Sequence, residues 1–368
     1  MSAFSAEDRA YMARALALAA RGLNTTDPNP RVGCVLVRDG CVIGEGWHER
    51  AGEAHAEPRA LQVAGSEAAG ATAYVTLEPC AAQGRVAPCT QALLAARVAR
   101  VVYASADPNP AKGGGAAQLA AAGVTVQGGL LADEARALNP GFFKRHEQGL
   151  PFVRVKLGVS LDGRSALANG ASRWITGSLA RQDAQQFRAR SSVVLTGIGT
   201  ILGDDPALNV RIDGVSRQPL RVVLDSRLRC PPRARVFDRD GPSLVFGIHD
   251  DAARRAALQA AGAQVEILPA EGATHVPLRA MLQRLAMLQA NEVWVEAGAT
   301  LAGALLAAGL VDELIVYLAP CLLGSQARGL ADLPALQSLD ERLALRFIDV
   351  RTIGDDLRVT AAVLPKEV

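Results

Sequence analysis

A chain of 368 residues exceeds what one ordinary hydrophobic core supports and suits two domains of roughly 150–200 residues. Of these residues 49% are hydrophobic and 21% charged, a globular balance, and no apolar run reaches the ~18 residues of a membrane span. Residues 1–148 hold 14 basic against 14 acidic side chains and the remainder 25 against 23, so neither half has the basic excess that a long phosphate backbone would need.

In chain order, SAEDRAYMARALALAARG (5–22) reads as an amphipathic helix with Ser5 as N-cap and Glu7 and Asp8 in its first turn. It lacks the basic start and small-residue cleavage site of an export signal, so a cytoplasmic protein is expected. VGCVLV (32–37) and CVIGEGW (41–47) flank Asp39-Gly40, a hairpin signal. A helix over about 56–69, a buried strand at 72–77, a helix at 89–98 and a strand at 99–105 follow. A Gly-led helix at 113–123 and a strand at 124–130 complete an α/β layered domain with partly parallel strands. NPGFFKRHEQGLP (139–151) breaks the pattern with Pro, Gly and charge, so the domains are expected to be 1–146 and 147–368. In the second, strands are expected within 152–164, 191–199, 220–226, 243–248, 265–268, 292–298 and 313–320.

Six cysteines stand at 34, 41, 80, 89, 230 and 321. Without an export signal a disulfide framework is a poor reading, and Cys34, Cys41, Cys230 and Cys321, in or beside apolar runs, are expected to be buried thiols. Cys80 and Cys89 differ: each follows a proline in TLEPCAAQGRVAPC (76–89), and HAE (55–57) lies upstream. His55, Cys80 and Cys89 suit zinc, and three protein ligands leave a position open for water, whose pKa zinc lowers to about 7. Glu57 then shuttles the proton. This is the zinc deaminase pattern, in which the glutamate is not a ligand. Pro58 is tolerated in the first turn of a helix, and Cys89 at a helix start is favoured as thiolate.

Around that spacer stand DPNPRVGCVLV (27–37), GEGWHERAGEAHAE (44–57) and GATAYVTLEPC (70–80). With them the chain resembles the bifunctional riboflavin-biosynthesis deaminase-reductase family along nearly its whole length. The resemblance implies an α/β cytidine deaminase-like zinc domain followed by a dihydrofolate reductase-like domain. The first would remove an amine from a diaminopyrimidinone bearing a phosphoribosylamino group; the second would reduce the ribosyl to a ribityl group with NADPH. His55, Cys80 and Cys89 match the zinc ligands and Glu57 the catalytic proton shuttle, while Asn29 and His48 match positions facing the pyrimidine. The family's P-C-S-H-H-G-R-T-P-P-C is here PCAAQGRVAPC, so Ala81, Ala82 and Gln83 replace hydroxyl and imidazole groups. The retained Arg85 and Arg59 are candidate phosphate contacts. The segment DPNPAKGGG (107–115) also departs from the family pattern and is about one residue short.

In the second half TGIGTILGDDPALNVR (196–211) is Gly-rich after a strand but lacks the G-x-G-x-x-G spacing, and EAGATLAGALL (296–306) likewise runs from a strand into a helix. By themselves both are turns that expose N–H groups suited to phosphate. The resemblance places Gly158, Trp174, Thr200, Asp204 and Ser226 against NADPH, with Gly298, Ala299, Thr300, Leu301, Ala302, Gly303 and Ala304. It places Ser172, Arg188, Leu208, Arg211 and Glu296 on the substrate side, the arginines suiting phosphate. Lys156 and Asp162 are further pocket candidates. A small phosphorylated pyrimidine, no nucleic acid, no membrane and a homodimer are the partners this implies. Two rivals stay open here: a paralogue with an altered deaminase and a working reductase, and a non-catalytic zinc scaffold fused to a reductase.

Overall fold

The computed structural model describes residues 4–82, 87–215, 217–238, 241–269 and 272–365. They fall into two compact units, 1–149 and 150–368.

In the first unit the elements are α1 (Ala6–Ala20), β1 (Gly33–Arg38), β2 (Cys41–Trp47), α2 (Ala56–Ala64), β3 (Thr72–Leu77), α3 (Cys89–Ala95), β4 (Arg100–Ser105), α4 (Gly115–Ala121), β5 (Thr125–Gly128), α5 (Ala132–Leu138) and α6 (Pro140–Gln148). The Ser5 hydroxyl accepts from Asp8 N–H while the Asp8 carboxylate accepts from Ser5 N–H, a reciprocal cap that starts α1. Asp39 and Gly40, both at positive φ, close the β1–β2 hairpin. The sheet order is β2-β1-β3-β4-β5, with β1 antiparallel to both neighbours and β3, β4 and β5 parallel. Alternate residues of one strand enter opposite layers: Cys34 and Leu36 pack with Ala56, Ala60 and Leu93, whereas Val35 and Val37 pack with Met12 and Ala15. Helices therefore cover both faces. The expected break at 139–151 is instead largely helical: Pro140 sits in the first turn of α6, and Gly149 caps its end in the left-handed conformation.

The second unit contains β6 (Phe152–Ser160), β7 (Arg164–Ala166), α7 (Ser178–Arg190), β8 (Val193–Gly197), α8 (Ile198–Asp204), β9 (Leu220–Leu224), β10 (Ser243–Gly247), α9 (Ala252–Ala260), β11 (Gln264–Ile267), α10 (Leu278–Met287), β12 (Glu292–Glu296), α11 (Ala299–Ala307), β13 (Glu313–Ala319), β14 (Arg328–Gly329), β15 (Leu345–Ile353) and β16 (Asp356–Val363). Among the described residues the main sheet runs β11-β10-β9-β8-β12-β6-β13-β16-β15. The strands from β11 to β13 are parallel and read as near-continuous apolar runs, because helices bury both faces. An antiparallel hairpin, β15–β16, ends the sheet. It was not among the expected strands, since β15 interleaves Arg346, Asp349 and Arg351 with apolar residues and stays largely exposed.

All six cysteines are free thiols. Cys34 and Cys230 are buried as expected, but Cys41 is exposed, at the start of the edge strand β2, and Cys321 is only half-buried. Among the described residues no helix is long and apolar enough to cross a membrane.

Candidate active sites

In the first unit, α2 lies directly on β2. A Cβ on Gly46 would meet the Ala56 carbonyl oxygen at 2.5 Å, so this close approach needs glycine. The contact carries His55, the extended N-cap residue of α2, and Glu57 in its first turn. Pro58 follows within that turn, where its missing N–H has no intrahelical partner to lose. Cys80 leaves the end of β3, and Cys89 opens α3 and donates its N–H to the Cys80 sulfur at 3.3 Å. Glu78 fixes this loop. Its carboxylate accepts from Asp107 N–H (3.1 Å) and Ala116 N–H (2.9 Å), and its own N–H donates to Ser105 O (2.8 Å).

The three expected ligands converge. One potential ligand atom each from His55, Cys80 and Cys89 lie within 4.8 Å of one another, and His55 Nδ1 is 3.2 Å from Cys89 Sγ and 3.7 Å from Cys80 Sγ. Two thiols and an imidazole nitrogen at this separation are a donor set that fits zinc. The sulfurs interact as a pair: hydrogen bonding from the Cys89 thiol drives Cys80 down to about 4 and raises Cys89 correspondingly. Glu57 is 3% exposed, its carboxyl pushed above the ordinary range by burial, within hydrogen-bonding reach of Cys89.

His48 stands beside this group, its ring 5.3 Å from that of His55 in a T-shaped contact. Both of its nitrogens are occupied. Nδ1 lies 3.1 Å from the Ala54 carbonyl, which only accepts, so Nδ1 carries the proton and Nε2 accepts from Asn29 Nδ2 at 3.0 Å. Burial lowers the His48 pKa, consistent with that neutral tautomer. Asn139, which the sequence did not single out, holds the loop bearing Asn29 by accepting from Arg31 N–H (2.8 Å) and donating to Arg31 O (2.9 Å).

Arg85 lies outside the described residues. Arg59, the other candidate phosphate contact, donates to Glu49 and Glu53 at 2.8 Å each. The two departing segments meet: Ala81 N–H donates to Lys112 O (2.9 Å), and Lys112 Nζ to Ala82 O (3.3 Å).

In the second unit Gly158, Thr200, Ser226, Glu296 and residues 298–304 lie at or just beyond the carboxyl ends of β6, β8, β9 and β12, where ligands of open α/β sheets bind. Glu296 ends β12. Its carboxylate takes a two-pronged contact from Arg188 (2.8 Å for Nη2 to Oε2) and a third from Trp294 Nε1 (2.7 Å). Burial would raise Glu296, but the Arg188 guanidinium outweighs it and lowers the pKa to about 2. Arg188 also donates to Asn209 O (2.8 Å), fastening the loop that holds Leu208 and Arg211; Arg211 is exposed. Lys156 lies on the same sheet, its pKa lowered by burial, with Nζ 3.3 Å from where a Gly158 Cβ would stand.

Gly197, the N-cap of α8, faces Leu301 of α11, so the two Gly-rich strand ends lie side by side. Gly298 caps α11 without a side-chain partner, leaving first-turn N–H groups outside the helix ladder, and a Cβ at Gly298 or Gly199 would enter open space. Helix-start N–H groups with open space beside them suit a dinucleotide phosphate. Thr300 binds Asp332 (2.7 Å); Ala302 and Gly303 are buried, Gly303 against the Asp332 backbone, while Ala304 is exposed. Trp174 is 68% exposed, with Arg181 at 4.4 Å and Arg173 at 5.6 Å from its ring. Arg173 also pairs with Asp204 at 3.0 Å. Ser172, Thr200 and Ser226 are half-buried, Ser226 just after β9. Asp162, the other pocket candidate, ties two loops together. It accepts from Ser160 Oγ, Leu323 N–H (3.1 Å) and Gly324 N–H (2.8 Å), and these bonds, the Ser160 one foremost, hold it ionised, with a pKa of about 2.

Two family models match the chain. The cytidine and deoxycytidylate deaminase zinc-binding region matches residues 5–105, and the RibD C-terminal domain matches 151–359, more than half the chain. The riboflavin biosynthesis protein RibD of Escherichia coli is 49% identical, over 95% of this chain and 98% of its own. That of Haemophilus influenzae is 46% identical over 98% of both.

The chain belongs to the RibD family.

RibD folds match it throughout. Acinetobacter baumannii RibD superposes with a TM-score of 0.90 at 44% identity, covering 98% of this chain and 99% of that one. The deaminase/reductase of Thermotoga maritima gives 0.85 at 29%, covering 97% and 99%. The chain is a bifunctional enzyme of riboflavin biosynthesis, a zinc-dependent deaminase joined to an NADPH-dependent reductase, with Zn2+ and NADPH as cofactors.

Proposed function

We propose that residues 1–146 deaminate a diaminohydroxyphosphoribosylaminopyrimidine and residues 147–368 reduce the deaminated product's ribosyl group to ribityl. The observation that carries the reading is the convergence of His55 Nδ1 and the Cys80 and Cys89 thiols beside the buried Glu57.

Held by those three side chains, zinc supplies Lewis acidity that brings the pKa of water to about 7. Glu57 moves the protons: it takes one as water adds to the amine-bearing ring carbon and delivers it to the departing nitrogen, so that ammonia leaves and a carbonyl remains. His48, fixed by Ala54 and Asn29, orients the ring, and Asn29 keeps its carbonyl oxygen for a ring donor. Arg85 is assigned to the substrate on the sequence pattern.

In the second unit Gly158, Trp174, Thr200, Asp204, Ser226 and the 298–304 segment hold NADPH, which supplies hydride. Ionised Glu296 accepts hydrogen bonds from substrate hydroxyls, Ser172 and Leu208 flank the sugar, Arg211 meets the phosphate, and Arg188 braces Glu296 and Asn209.

The cytoplasm suits six free thiols. A homodimer is supported by β15, which ends the nine-stranded sheet with Phe347 70% and Val350 55% exposed. With the diaminopyrimidinone phosphoriboside and NADPH, the zinc-loaded protein is expected to yield ammonia and NADP+ in equal amounts. NADPH oxidation confined to separately supplied deaminated compound would contradict the two-step reading.

A further inference from the structure

The loop Asp205–Arg211 is held in a costly conformation by side chains of α7 and by Gln218. Asp205 and Leu208 both adopt positive φ (42° and 54°), unusual for non-glycine residues, and Leu208 is 2% exposed. Such a backbone persists only where its surroundings over-determine it. Three hooks do so in succession. Arg188 donates to Asn209 O at 2.8 Å. Gln218 takes Val210 N–H at 2.8 Å and returns its amide to Val210 O at 3.0 Å, pairing with that residue as a neighbouring strand would. Gln185, on α7 and 6% exposed, accepts from Arg211 N–H at 3.0 Å. Arg211 Nη1 in turn reaches Asn209 Oδ1 at 3.0 Å, so its guanidinium direction depends on the same loop.

We infer that Gln185 and Gln218 are positioning residues that set affinity for the phosphorylated substrate of the reductase by fixing Leu208 and the Arg211 guanidinium. Neither touches the reacting atoms. The inference rests on the assignment of Leu208 and Arg211 to the substrate side.

The test uses the full zinc-loaded chain with NADPH and the deaminated phosphoriboside, comparing Gln218→Leu, Gln185→Leu and Arg211→Met. Gln218→Leu, losing two hydrogen bonds, should raise KM for the pyrimidine about tenfold, and Gln185→Leu, losing one, roughly fivefold. KM for NADPH, read in the same assays, should stay within about twofold, which also reports a folded reductase unit. A raised KM for both substrates alike, or a fall in kcat alone, would make these glutamines merely structural and overturn the inference. So would an unchanged pyrimidine KM. If Arg211→Met raises KM while the glutamine variants do not, the substrate assignment stands and the inference fails. If the glutamine variants raise KM and Arg211→Met does not, the loop acts through Leu208, and it is the reading of Arg211 that falls.

Discussion

At the scale of residues, each side chain assigned to the chemistry is held by neighbours whose identity is explicable. Cys80→Ser replaces a thiolate with a poor zinc donor, and the variant should lose bound zinc and ammonia release while retaining NADPH-dependent reduction of deaminated substrate; metal analysis beside both assays checks this. Glu296 gives a pH prediction. Its pKa lies at about 2 when folded, against about 4.3 for a free glutamate, so its stabilising contribution is complete above about pH 4.3 and is lost as pH falls toward 2. In Glu296→Gln that part of the acid slope of the reductase melting transition should vanish. Arg188→Met, leaving a buried carboxylate without its main partner, should cost about 3–5 kcal/mol in denaturant unfolding of that unit. The convergence of His55, Cys80 and Cys89 was legible in the sequence because the residue types and their spacing suit one metal centre. Asn139, Glu78 and Gln218 were not, because a side chain that binds backbone atoms leaves no motif.

At the scale of elements, the loops around the zinc site depend on close approach. A Cβ on Gly115, at the start of α4, would stand 1.7 Å from the Pro79 carbonyl oxygen, the residue before Cys80. Gly115→Ala should therefore displace the Cys80 loop and weaken zinc binding by about tenfold or more, measured by competition with a chelator. The same physics shows what sequence patterning reads well. Strands β1, β3, β6, β8 and β12 were legible as apolar runs because helices bury both their faces. Helix α6 is hard to see in the sequence because Pro140 and Gly149 resemble breakers, whereas they are its first-turn residue and its cap. The β15–β16 hairpin went unread because its outer strand is exposed and charged, leaving no buried run to detect. The ion pairs of Arg59 were not legible because sequence spacing does not show Glu49 and Glu53 folding back onto it.

At the scale of the whole molecule, the two activities reside in separate compact units and should separate experimentally. Chelation is expected to abolish ammonia release and leave reductase turnover unchanged; parallel loss of both would contradict independent sites. If the open edge of β15 joins two copies, sedimentation should give a dimer that Phe347→Glu converts to monomer. The central claim is that His55, Cys80, Cys89 and Glu57 form a working deaminase despite the alanines at 81 and 82. Its most direct test is ammonia release from the phosphoribosylated diaminopyrimidinone by zinc-loaded protein without NADPH, beside Glu57→Gln. The account predicts release by the parent and a loss of about 10²-fold or more in the variant, with zinc content unchanged because Glu57 is not a ligand. No release by zinc-loaded parent protein, or equal release by the variant, would contradict it.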